Sequence, residues 1–201
     1  MKKLCWGMLA LLAGCTTLTP VTAPSPPLVQ AFIPSFEING RLSVRHDNEG
    51  FSGNLRWRHV FGEDEFVVQT PLGQGVARVT QNAQGATLQT ADGQMLYAPD
   101  AESLTQQALG FRLPLAGLPR WVQAQAVSDA AQLRHNDDGT VVALSEQGWE
   151  IEYLSYQSVG QGVQNATLPS RLMMKNTGQN TEQNTGLKLR LIIDDWQAPA
   201  P

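Results

Sequence analysis

From Phe36 onward, apolar and polar residues alternate one by one, and this period of two constrains the fold more than any other feature. Ile38, Gly40, Leu42 and Val44 alternate with Asn39, Arg41, Ser43 and Arg45; Phe51, Gly53, Leu55 and Trp57 alternate with Ser52, Asn54, Arg56 and Arg58. A strand points successive side chains to opposite faces, so each such run carries one apolar and one polar face. Turn residues punctuate the pattern at about every eight to twelve positions, which is the signature of an antiparallel meander. Phe66 to Val68 run into a Thr70-Pro71-Leu72-Gly73 turn and a strand over 75–79. Gln84-Gly85 and Asp92-Gly93 mark tight turns around strands at 86–90 and 94–97. Further strands are expected at 132–135, 141–144, 149–154, 170–175 and 187–193. An antiparallel sheet of this size must curl or close. The expected fold is therefore mainly β, with one curled sheet and an apolar concave face.

The middle of the chain breaks the alternation. Pro99 and Asp100 open a helical stretch, with Asp100 as N-cap, Leu104, Ala108 and Leu109 on one face, and Gly110 at the end. Residues 114–124 (PLAGLPRWVQA) read as a second short helix or a pair of turns carrying Leu115, Leu118, Trp121 and Val122. Two short apolar-faced helices set into a curled sheet are expected to plug its concave side. Residues 176–186 (NTGQNTEQNTG) are polar and of low complexity, as in a hairpin tip without a core.

The amino terminus has a different grammar. Met1-Lys2-Lys3 precedes the apolar run at 4–12, which is shorter than the roughly 20 residues a membrane-spanning helix needs. It reads as a signal peptide over 1–14. Leu12-Ala13-Gly14-Cys15 looks like a bacterial lipobox, with cleavage before Cys15, a diacylglyceryl group on its thiol and a third acyl chain on its amine. Thr16, in place of the Asp of an inner-membrane retention signal, points to the outer membrane. Residues 15–35 form a proline-rich tether, five prolines falling within 16–34 without a charge. The folded domain is expected over 36–197, facing the periplasm.

Catalytic chemistry is hard to find. His46, His59 and His135 lie far apart without metal-ligand spacing, and no metal site is expected. There is no Gly-x-Ser-x-Gly elbow and no phosphate-binding loop. Gly73-Gln74-Gly75 and Gly160-Gln161-Gly162 lack the third glycine of a dinucleotide loop, and no cofactor is expected. The acidic clusters Glu63-Asp64-Glu65, Asp137-Asp138 and Asp194-Asp195 read as solvated charge at turns or strand ends. Cys5 and Cys15 are the only cysteines, so a disulfide framework is excluded. The net charge of -4, which becomes -6 once Lys2 and Lys3 are removed, argues against nucleic acid.

Several pieces occur together in a fixed order: the lipobox, Gly40-Arg41-Leu42-Ser43-Val44, the Phe51 to Trp57 strand, Thr70-Pro71-Leu72-Gly73, the Leu115 to Trp121 segment and the closing Asp194-x-Trp196. This ordered set resembles the LolB family of outer-membrane lipoprotein receptors. The resemblance implies an open (half) β-barrel, its hydrophobic concave cavity covered by helices. It implies a protein that takes triacylated lipoproteins from the periplasmic carrier LolA and releases them into the inner leaflet of the outer membrane, and a monomer is expected. The leucine matching Leu72 is then a protruding apolar residue, between Pro71 and Gly73, needed for release into the membrane.

The residues themselves leave an alternative open. Leu55, Trp57, Phe66, Val68, Leu88, Met95, Trp149, Ile151, Tyr153, Leu172, Met174, Leu189 and Leu191 fall on apolar phases. They suit an acyl-chain cavity, and they equally suit an ordinary filled barrel core. The second reading would make the protein a structural, lipid-anchored scaffold of an envelope complex. A lipid-anchored hydrolase lacks its nucleophile and base.

Overall fold

A computed structural model describes residues 32–70, 75–159, 166–178 and 186–198. In chain order the elements are β1 (Ser35–His46), β2 (Glu49–Val60), β3 (Glu63–Gln69), β4 (Gly75–Asn82), β5 (Gly85–Thr90), β6 (Met95–Ala98), α1 (Ala101–Leu109), α2 (Leu118–Trp121), β7 (Gln132–His135), β8 (Val141–Glu146), β9 (Trp149–Val159), β10 (Ala166–Asn176) and β11 (Lys188–Gln197). The strands form one antiparallel sheet in the order β6-β5-β4-β3-β2-β1-β11-β10-β9-β8-β7. Its edges, β6 and β7, do not pair, so the sheet stays open, and the two helices lie on the connection between them.

Register carries the alternation across the sheet. One row runs Trp196, Ile38, Trp57, Phe66, Val79, Leu88, Leu96. Another runs Leu144, Ile151, Met174, Leu189, Val44, Phe51. Both rows lie on the inner face, and nearly all their members belong to the core or pack against it. Phe36 meets Trp57 edge-on at 5.0 Å and Trp196 at 5.2 Å, and Trp57 stacks on Phe66 at 4.9 Å. Such contacts add about 0.5–1.5 kcal/mol each beyond burial. The pairing of β1 with β11 shifts register beside Gly40. A Cβ at Gly40 would stand 2.1 Å from the Ile192 carbonyl oxygen, so the close approach of the two strands requires glycine.

Met95 is a correction to the expected inner face. It pairs with Gln89, in the row of Arg78, Val67 and Arg56, so it lies on the convex face and is 44% exposed. Leu96 holds the inner position instead. A four-residue strand after a turn is too short to define its own phase.

Helix α1 begins where expected. Asp100 caps it, its carboxylate accepting from Ser103 N at 2.6 Å, and this bond holds its pKa below the usual carboxylate range. Gly110 ends it in the left-handed region at φ 83. The buried positions are Ala101, Leu104 and Thr105, whereas Leu109 is exposed, against the expected face. Thr105 faces inward because its hydroxyl accepts from Leu113 N at 3.0 Å, closing the chain back onto the helix. The second helix is a single turn, Leu118–Trp121.

Candidate functional site: the covered concave face

The connection between the sheet edges crosses the concave face from one side to the other. Helix α1 packs against β5 and β6. Phe111 then reaches the His46 ring at 5.1 Å near the middle of the sheet. Trp121 ends over β8 and β9, 6.5 Å from Trp149. Phe111, Leu113, Leu115, Leu118, Trp121 and Val122 are all buried with the sheet's inner residues in one core. The segment from residue 111 to 124 is therefore a plug over the concave face.

Polar bonds hold this plug at a few points. The Trp121 indole N–H donates to Glu146 Oε2 at 2.8 Å, and the Tyr153 hydroxyl donates to the Trp121 carbonyl at 2.8 Å. Glu146 also accepts from the backbone N–H of Val127 at 2.9 Å and of Ser128 at 2.6 Å, and from the Ser128 hydroxyl. Burial pushes the Glu146 pKa up, but these hydrogen bonds to the ionised form outweigh it and the net direction is down. Burial also raises the Tyr153 phenol, which stays a neutral donor. Gln123 is fully buried, accepts from Ile33 N at 2.8 Å, and donates to the carbonyls of Ile33 and Pro119. Gly117 makes room for the plug's indole, since a Cβ there would sit 2.7 Å from the Trp121 ring.

Beneath this plug lie Leu55, Trp57, Phe66, Leu88, Trp149, Ile151, Tyr153, Leu172, Met174, Leu189 and Leu191, all buried, with Val68 partly buried against them. Met95 is not among them. Cys15, Pro71, Leu72 and Gly73 lie outside the described residues, as does most of the polar hairpin tip. Mainly polar depressions open at the rim of the sheet, and Trp149 lines one of them.

Two buried polar features were not anticipated. Asp64, expected to be solvated, is buried, accepting from the Trp57 indole N–H at 2.7 Å and meeting His59 Nδ1 at 2.7 Å. The signal was its phase: Asp64, Phe66 and Val68 share one face of β3. Glu146 likewise shares a face with Leu144. A buried carboxylate persists where donors converge on it, and both of these have them.

The profile of the family described as "Outer membrane lipoprotein LolB" matches residues 34–196, nearly the whole described domain. The chain belongs to the LolB family. A LolB relative from Thiobacillus denitrificans is 35% identical over 93% of this chain and 92% of its own length. Another, from Azoarcus sp. strain BH72, is 35% identical over 94% and 90%. Both are described as outer-membrane lipoprotein LolB. Among solved structures, a DUF1329 family protein from Desulfovibrio piger aligns with TM-score 0.51 at 6% identity, covering 83% of this chain and 86% of that one. That likeness concerns the fold alone. LolB membership gives the chain a role in outer-membrane lipoprotein localisation and sets the hydrolase reading aside. No helix among the described residues is long and apolar enough to cross a membrane.

Proposed function

We propose that the protein is the outer-membrane receptor of lipoprotein sorting: it accepts triacylated lipoproteins from a LolA-type carrier and inserts them into the inner leaflet of the outer membrane. The observation that carries this reading is the covered concave face. An open sheet lined with large apolar side chains is closed by a plug, rather than by pairing of β6 with β7. A plug can leave and return, whereas a closed barrel cannot open without breaking a ladder. Acyl chains entering beneath it would replace the contacts of Phe111, Leu113 and Leu115 with equivalent apolar ones. The bonds at Trp121, Tyr153 and Gln123 would act as the latch.

Energetics supports exchange rather than tight capture. Burying three acyl chains is worth tens of kcal/mol at ~0.8 per methylene. The concave face must return nearly all of this to the bilayer. Displacing a packed plug does so, because the plug's own burial opposes cargo binding and drives release. The protein is anchored through Cys15 in this reading and works as a monomer, and Leu72 at its turn dips toward the bilayer. Burial of one leucine is worth roughly 1.5–3 kcal/mol, enough to orient the mouth and too little to anchor it.

Transfer tests the reading. Carrier loaded with acylated lipoprotein is mixed with the anchored protein on vesicles, and cargo is followed into the lipid. Leu72→Glu should still take cargo from the carrier and fail to deliver it. A filled-core scaffold would accept no cargo at all.

A further inference from the structure

We propose that the convex face of the sheet, across β1, β11 and β10, is a docking surface for anionic phospholipid headgroups, and that it holds the concave face away from the membrane between deliveries. The proposal rests on the lipid-anchored receptor reading and adds a second membrane contact to it.

The observation is a like-charge row. Register places Arg45 directly opposite Lys188, and Lys188 directly opposite Lys175. In the adjoining rows Arg190 stands opposite Met173, and Arg41 and Arg171 flank Ile192 from either side. All six cations are exposed. Arg41 pairs with Asp194 at 2.8 Å, but among the described residues none of the other five has a carboxylate in ion-pair distance. On its other side Lys175 has Glu150 opposite it, but Lys188 stands between Arg45 and Lys175, and like charges opposite one another destabilise a sheet, so strand pairing alone does not account for the row. It also runs against the chain's net charge of -4.

Apolar side chains sit among these cations. Met173 is 43% exposed and Leu154, on the neighbouring strand, 52%. Cations around exposed apolar residues are the mark of a surface that meets headgroups and the upper acyl region together. Acidic residues border the cations on β9, where Glu150 stands opposite Lys175 and Glu152 opposite Met173 on the strand face that Leu154 shares, while Asp194 and Asp195 lie at the far end of β11. Exposed Met173 and Leu154 beside these cations match the layering of a bilayer surface, apolar chains beneath charged headgroups, so the bilayer is the occupant proposed.

Attachment geometry agrees. Sixteen residues separate Cys15 from Phe32, just before β1, the strand that opens this face. A chain of that length reaches at most about 55 Å, while a 12-residue strand spans about 40 Å. The domain can therefore lie convex face down or turn its mouth to the same bilayer. With the convex side down, the plug faces an arriving carrier.

The test uses the lipidated full chain carrying Met173→Cys, the mature protein having no other free thiol in the proposed processing. Alkylation of the introduced thiol by a membrane-impermeant maleimide is timed on phosphatidylethanolamine vesicles with and without phosphatidylglycerol. Thr87→Cys, elsewhere on the convex face, is the control. The expected result is at least about fivefold slower alkylation at 173 on the anionic vesicles, lost at ~0.5 M salt, where surface charges are screened. It should also be lost in the combined Lys175→Glu, Lys188→Glu and Arg190→Glu variant, or in the milder Gln triple if that fails to fold. Equal rates on both vesicles, or protection that ignores salt and charge, would overturn the proposal. So would protection that arises only when carrier protein is added, which would assign the face to an acidic partner. No cargo is needed, so failure here leaves the transfer reading standing or falling on its own assay.

Discussion

The indole N–H of Trp121 donates to Glu146 Oε2 at 2.8 Å, joining the plug across the sheet edges to strand β8. Three further donors, from Val127 and Ser128, converge on the same carboxylate. Removing the acceptor leaves the buried Trp121 N–H unpaired, at a cost of about 1–3 kcal/mol, and strips the part-buried donors of Val127 and Ser128 of their partner at a smaller one. Glu146→Ala should therefore destabilise the domain by about 2–4 kcal/mol in urea unfolding. Trp121→Phe, which removes one donor and replaces the buried indole with a smaller phenyl ring, should cost less than the loss of all four bonds. Equal losses would mean the indole bond alone matters.

The same carboxylate makes stability depend on pH. Its folded pKa lies below the ordinary glutamate value, so its contribution is complete above ~4.3 and shrinks as pH falls through the folded value. The difference in urea midpoint between the native chain and Glu146→Gln should be constant from pH 7 to about 5 and narrow below about 4.3. Asp100, depressed in the same direction, is shared by both chains and cancels. A difference that widens on acidification would contradict the assignment.

Gln123 ties the start of the domain to the plug through both backbone groups of Ile33. Gln123→Ala should cost about 2–3 kcal/mol, since buried backbone donors and acceptors lose their partner. Limited proteolysis should then cut the chain near Ile33 faster than in the native protein. An unchanged cleavage rate there would show that the tie is dispensable.

Phe61 is 82% exposed at the tip of the β2–β3 turn with φ 47, followed by Gly62 at φ 89. These angles belong to a tight hairpin turn that prefers Asn-Gly, and a bulky residue at positive φ is strained. Phe61→Asn should raise stability by about 0.5–1 kcal/mol, read as a higher urea midpoint. A lower midpoint would mean the ring makes contacts that offset its strain.

Much of the fold was legible because period-two alternation ties local sequence directly to sheet faces. Trp57, Phe66, Ile151 and Leu172 declared their face by phase alone, and Asp100 and Gly110 declared the ends of α1. What failed was the treatment of charge. Asp64 and Glu146 share phases with buried neighbours, yet a carboxylate reads as solvated unless its donors are known, and those come from Trp57, Trp121 and Ser128, at up to 25 positions' distance. Met95 failed for a different reason, since register across β5 places it and its own four residues do not. The convex cationic row was invisible for the same cause: Arg45, Lys175 and Lys188 are brought together by pairing alone.

In the proposed function the plugged concave face takes acyl chains from a carrier and passes them to a bilayer. The most direct measurement is crosslinking during transfer, with a photoreactive group on the acyl chains of a carrier-bound lipoprotein and the lipidated protein on vesicles. Transient adducts are expected on inner-face residues such as Leu172 and Ile151, followed by arrival of the cargo in the lipid, with no adduct from cargo lacking acyl chains. Delivery of cargo with no adduct on the inner face, or adducts confined to the convex surface, would contradict it.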